Sequence, residues 1–130
     1  MRIPQVTVLE RTALYSEHQL QVALCKYLSV AAAPELHWFA IPNGERRSIG
    51  VAVRLKKQGV RRGSPDLCIM LENGRVAWLE LKIKGGQLSP DQKLFRDKAR
   101  SLGHAWGMAK TMDEAIDFLA SVGALRKGTY

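Results

Sequence analysis

Acidic residues are scarce in this chain of 130 residues: twelve Asp and Glu face twenty Lys and Arg, for a formal charge of +8 and a pI near 9.9. That imbalance disfavours basic partners and favours polyanions. Cysteine is almost missing. Cys25 and Cys68 each sit alone in an apolar stretch with no second Cys or His at zinc-site spacing. This argues against a disulfide framework or a zinc centre and for reduced thiols in a reducing compartment. No apolar run has the length a bilayer demands, and the N-terminus lacks a signal-peptide pattern, so no membrane partner and an intracellular, cytoplasmic location are expected. Repeats and low-complexity segments are absent. Hydrophobic residues at 46% and charged residues at 25% exclude extensive disorder. The length leaves room for one core and not two.

What is present has a clear order. Residues 1–15 carry no clear period and read as an N-terminal arm or a loose first strand. Ser16 with Gln19 forms a capping box ahead of the apolar stripe Leu20, Ala23, Leu24, Tyr27, Leu28 and Ala31, which predicts a helix closed by Pro34. Leu36 to Ile41 predicts a strand, broken by Pro42, Asn43 and Gly44. A second helix is expected over Ser48 to Gln58, with Ile49, Ala52, Val53 and Leu55 for the core. Asp66 to Leu71 is almost continuously apolar after its first residue, as a strand covered on both faces would be. After Glu72-Asn73-Gly74 the chain returns through Val76 to Ile83, with Ala77, Leu79, Leu81 and Ile83 on one face and Val76, Trp78, Glu80 and Lys82 on the other. Ser89-Pro90-Asp91-Gln92 opens a third helix over Leu94, Phe95, Ala99 and Leu102. A strand near His104 to Ala109 follows, and Thr111 with Glu114 caps a last helix burying Met112, Ala115, Ile116 and Leu119. The sum is an α/β fold, a mixed central β-sheet flanked by helices, over 16–122, with 123–130 a basic C-terminal tail.

Charge is concentrated. Arg46, Arg47, Arg54, Lys56, Lys57, Arg61 and Arg62 follow one another with no acid between Glu45 and Asp66, a patch suited to phosphates, although a solvated helix face would look similar. Glu80 and Lys82 share one face of an otherwise apolar strand, where such residues rarely sit unless paired or functional. With Asp66, Glu80 offers two hard oxygen donors of the kind that hold Mg²⁺ or Mn²⁺. A salt-bridged pair on an edge strand remains the alternative for Glu80 and Lys82 taken alone. His18, His37 and His104 read as structural, and Trp78 and Trp106 as packing residues.

The register of the hairpin decides whether the two carboxylates can cooperate. A two-residue Asn73-Gly74 turn would set Asp66 against Leu81 and put the carboxylates on opposite faces, whereas a three-residue turn with Gly74 left-handed pairs Leu71 with Arg75 and Asp66 with Glu80. The second is expected.

Ser64-Pro65-Asp66, followed thirteen residues after the Asp by Leu79-Glu80-Leu81-Lys82, resembles the PD-(D/E)XK nuclease superfamily. Gly59-Val60, Gly63-x-Pro65-Asp66-Leu67, Asn43-Gly44 and Leu88-Ser89-Pro90-x-Gln92 are similar to its VRR-NUC branch, over roughly residues 16–120. The resemblance implies a restriction-endonuclease-like fold and a metal-dependent deoxyribonuclease. Asp66, Glu80 and the Leu81 carbonyl would hold the metal, Lys82 would be the catalytic lysine, and Gln92 would lie near the site. Glu17 would match an acid often carried on the first helix. Both Glu17 and Gln92 are equally explained as helix-terminal residues. Stand-alone members resemble homodimeric junction resolvases, so cleavage of branched, Holliday-junction-like DNA in DNA repair is the expected activity. The rivals are a nuclease for flaps, single strands or other DNA, and a non-catalytic DNA-binding module.

Overall fold

The computed structural model describes residues 15–42 and 48–128. Most of the expected N-terminal arm, the Asn43-Gly44 loop and the basic residues Arg46 and Arg47 lie outside the described residues. The elements are α1 (Glu17–Ala31), β1 (His37–Ala40), α2 (Ile49–Lys57), β2 (Leu67–Met70), a short 3₁₀ turn (Glu72–Gly74), β3 (Val76–Leu81), α3 (Pro90–Ser101), β4 (Ala105–Ala109) and α4 (Met112–Ser121). Among the described residues no helix is long and apolar enough to cross a membrane.

One sheet of order β1-β2-β3-β4 organises the chain, with β1, β2 and β3 antiparallel and β4 parallel to β3. Its two faces differ in kind. Leu67, Ile69, Ala77, Leu79, Leu81 and Ala109 form the core face, against which α1 packs Leu20, Leu24, Leu28 and Ala31 and α4 packs Met112, Ala115, Ile116 and Leu119. These are the stripes that the helical periods predict. On the opposite face α3 supplies Phe95, whose ring meets Trp78 edge-on at 5.0 Å, and Trp78 Nε1 donates to His104 Nδ1 at 2.9 Å. Arg96 and Arg100 place their guanidinium groups over the half-buried Trp106 ring. Both tryptophans are therefore packing residues, with His104 their structural partner.

Several apolar residues expected in the core are elsewhere. Ile49 and Val53 of α2 are exposed, Ala52 and Leu55 are only half-buried, and no residue of that helix is buried. Leu94, Leu102 and Ile83 are also exposed. The core face of the sheet is already filled by α1 and α4, so α2 has no sheet surface left to cover, and Ile83 lies past the end of β3, beyond the helices that shield Leu79 and Leu81. The segment after α4 is anchored at its start: Leu125 bridges to Ala32, and Ala124 and Leu125 are buried.

The hairpin has the register that a shared site needs. Leu67 pairs with Leu79 and Met70 with Val76, and Leu71 N–H donates to the Arg75 carbonyl at 2.9 Å, so the ladder closes on a three-residue turn. Gly74 is left-handed at φ 73°, as expected, and Asn73 joins it at φ 62°, ψ 33°. Asparagine tolerates that region and glycine enters it freely. Gly74→Val should therefore cost about 1–2 kcal/mol, whereas Asn73→Gly should cost little. Urea unfolding measures both, and a Gly74→Val midpoint equal to wild type would refute this turn.

Candidate active site

The same register carries the pairing one residue beyond β2, where Asp66 falls opposite Glu80. On the inner edge of Asp66, Oδ2 accepts from the Leu81 N–H at 2.7 Å. That amide points toward β2 where β2 has run out, so the side chain takes the place of a ladder carbonyl. Lys82 N–H turns to the other neighbour, the Ala109 carbonyl at 3.0 Å, which keeps the strand pinned on both sides of the pair.

Glu80 is the buried charged residue of the described chain, 4% exposed. Its Oε1 accepts from Gln92 Nε2 at 2.8 Å, while its Oε2 is buried without a protein partner. A buried carboxylate left half-satisfied is costly. Burial first, then the Asp66 and Glu17 charges, push its pKa from the ordinary 4.5 up to about 8, against the pull of Lys82. Asp66 is also raised, chiefly by burial and secondarily by Glu17, with the Leu81 amide and Lys82 opposing. The two carboxylates thus raise each other's cost of ionisation, and the positive charge of Lys82 offsets it only in part.

Gln92 resolves the ambiguity of its motif by doing both jobs. Its Oε1 accepts from the Ser89 N–H at 2.9 Å and its backbone N–H donates to Ser89 Oγ at 3.1 Å, which completes the capping box, and the remaining amide nitrogen reaches Glu80. Gly63 lets the preceding loop lie on this helix start: at φ +85°, a Cβ there would stand 2.4 Å from the Asp91 carbonyl oxygen. A side chain at this position would displace Gln92.

Asp66, Glu80, Lys82 and Gln92 all line one open cleft, and Glu17, exposed in the first turn of α1, lines it too. Of the basic patch, Lys56, Arg61 and Arg62 face the cleft; Arg54 and Lys57 are exposed outside its lining. Among the described residues no three His, Cys, Asp or Glu side chains gather closely enough to hold a metal by themselves. Two carboxylates with one unpartnered oxygen still suit a hard cation such as Mg²⁺, which takes its other ligands from water, backbone and substrate. Sequence reasoning missed His18 and Gln21 in the lining, and the apolar wall of Ile49, Val53 and Leu94. The wall had a signal: in α2 the positions Ile49, Ala52, Val53 and Lys56 make one helical stripe that ends in a cation.

Comparison with known proteins bears on this arrangement. A family model described as VRR-NUC domain matches residues 7–112. A solved structure titled VRR_NUC domain protein superposes with a TM-score of 0.67 at 20% identity, covering 82% of this chain and 87% of the other. Another, titled VRR_NUC domain, gives a TM-score of 0.52 at 16% identity over 82% of this chain and 97% of the other. At such identities the superpositions show a common fold. No curated protein matches the chain.

Folding favours the protonated form of Glu80, because its folded pKa lies above the unfolded one. That stabilisation is complete below about 4.5 and is lost as pH rises through about 8. The Asp66 shift has the same sign. Metal-free protein should accordingly melt at falling temperature across that window, and Glu80→Gln should flatten the decline. Thermal melts in EDTA decide the matter: the same decline in both proteins would remove Glu80 as its source.

Proposed function

The chain belongs to the VRR-NUC domain family, a branch of the PD-(D/E)XK nucleases, as the match over residues 7–112 establishes, and from that premise we propose that it is a metal-dependent DNA endonuclease acting on branched, Holliday-junction-like DNA. The observation that carries the proposal is the buried, half-satisfied Glu80 held opposite Asp66 in a cleft that also contains Lys82. A buried carboxylate oxygen without a protein partner is uncommon in folded proteins and suits a cation ligand.

Asp66, Glu80 and the Leu81 carbonyl would hold Mg²⁺ or Mn²⁺, with Glu17 as the outer acid. When bound, the cation supplies positive charge at a phosphate oxygen and lowers the pKa of water. The chain's own groups do the rest. The Leu81 amide fixes Asp66, and Gln92 fixes Glu80 from α3, so both carboxylates are oriented before substrate arrives. Lys82 lines the cleft, where its ammonium would hold the attacking water and offset charge growing on the phosphate. Lys56, Arg61 and Arg62 take the phosphate backbone without reading bases. A junction has two opposed strands to cut, which a two-fold homodimer presents to two such sites.

Incubation with Mg²⁺ or Mn²⁺ and a panel of linear, flap and four-way DNAs tests the proposal. Cleavage of the four-way DNA is expected, abolished by Glu80→Gln or Lys82→Ala with junction binding retained. Arg61→Glu with Arg62→Glu should instead weaken binding and lower its salt slope by about two. No cleavage of any DNA, or loss of binding in step with cleavage in the Glu80 and Lys82 variants, would contradict it.

A further inference from the structure

Part of the cleft lining is apolar and exposed to water. Ile49 is 86% exposed and Val53 49%, one helical turn apart on α2, and Leu94 of α3 is 65% exposed. All three line the cleft that holds Glu80 and Lys82, and Lys56 continues the α2 stripe into the cations Arg61 and Arg62. Exposed apolar side chains scattered over a surface need no explanation, but three that line one charged cleft do. A continuous duplex offers such a wall little beyond thymine methyls and sugar edges, because its base faces are stacked on one another. The large apolar surfaces of DNA are those base faces, and they become accessible where stacking breaks.

Building on the nuclease reading of this site, we propose that the cleft binds DNA whose bases beside the scissile phosphate are unstacked, and that Ile49 and Leu94 pack on the opened base faces and hold them apart. Charge complementarity supports DNA as the occupant, since the cations of the same cleft hold the backbone while the apolar pair meets the bases. Val53 lies behind Ile49 on the stripe and widens the contact. The preference for branched substrates then has a physical origin: the arms of a branch point can part with less loss of stacking and pairing than the middle of an uninterrupted duplex.

The test uses the full chain in the Glu80→Gln background, bound to a four-way DNA carrying 2-aminopurine at the branch. Fluorescence should rise several-fold on binding. Ile49→Ser with Leu94→Ser should bind within about threefold, because phosphate contacts supply most of the affinity, yet lose that rise. In otherwise wild-type protein the same pair should cut a fully paired junction about tenfold more slowly or worse, and recover on a junction with mismatches at the branch, where unstacking is already done. Both positions are exposed, so the melting temperature should hold; the two single substitutions serve if it does not. A fluorescence rise unchanged by the substitutions, or an equal loss on paired and mismatched junctions, overturns the proposal. So does a shift to monomer in sedimentation with the fluorescence intact, which would assign the apolar wall to a second copy of the chain. If wild-type protein cuts no DNA but the rise appears and is lost in the double variant, the stacking contact stands and the nuclease reading falls.

Discussion

The site depends on one matter of parity. Side chains alternate between the two faces of a strand, so a slip of one residue in the β2–β3 hairpin would send Asp66 to the face opposite Glu80. The three-residue turn with two consecutive left-handed residues prevents this, and the Leu71 to Arg75 hydrogen bond closes the ladder next to it. Everything chemical is downstream: the carboxylate of Asp66 reaches the Leu81 amide because it stands beyond the end of β2, on the side where Glu80 points.

Holding that pair has a cost that the fold meets on its other side. The core face carries a continuous set of Leu, Ile, Ala and Met from three strands and two helices, whereas the opposite face is shared among two carboxylates, a lysine, two tryptophans and the start of α3. Burial and mutual repulsion raise both carboxylates, and Lys82 only partly offsets them. A site so short of positive charge is unfavourable by itself, and a divalent cation, were one bound there, would offset that cost. Proteins commonly tolerate such local strain at functional positions.

The parts of this arrangement that local chemistry dictates were legible in the sequence. Capping boxes at Ser16 and Ser89 marked the starts of α1 and α3, the stripe of α4 was buried residue for residue, and the turn length followed from asking where two carboxylates could meet. The rest was not legible because it depends on competition between elements. A periodic stripe in α2 declares that a helix has an apolar side; whether a sheet surface remains for it depends on α1 and α4, so Ile49 and Val53 were expected in the core and are exposed in the cleft. Leu94 and Leu102, over which the third helix was expected to run, are exposed as well, since α3 covers the sheet mainly through Phe95 and Ala99. For Gln92, capping and a place beside the Glu80 face looked like rival explanations. Its amide has an acceptor and a donor, and the helix start lies close enough to Glu80 for each to find a partner.

The central claim is that Asp66 and Glu80 form one cation site in the cleft. Crystals grown with Mn²⁺ and measured for anomalous scattering test it without reliance on activity or choice of DNA. The account predicts an anomalous peak in contact with both the Asp66 and Glu80 carboxylates, lost in Glu80→Gln crystals grown under the same conditions. A peak bound elsewhere, or none between these carboxylates at saturating Mn²⁺, would contradict it.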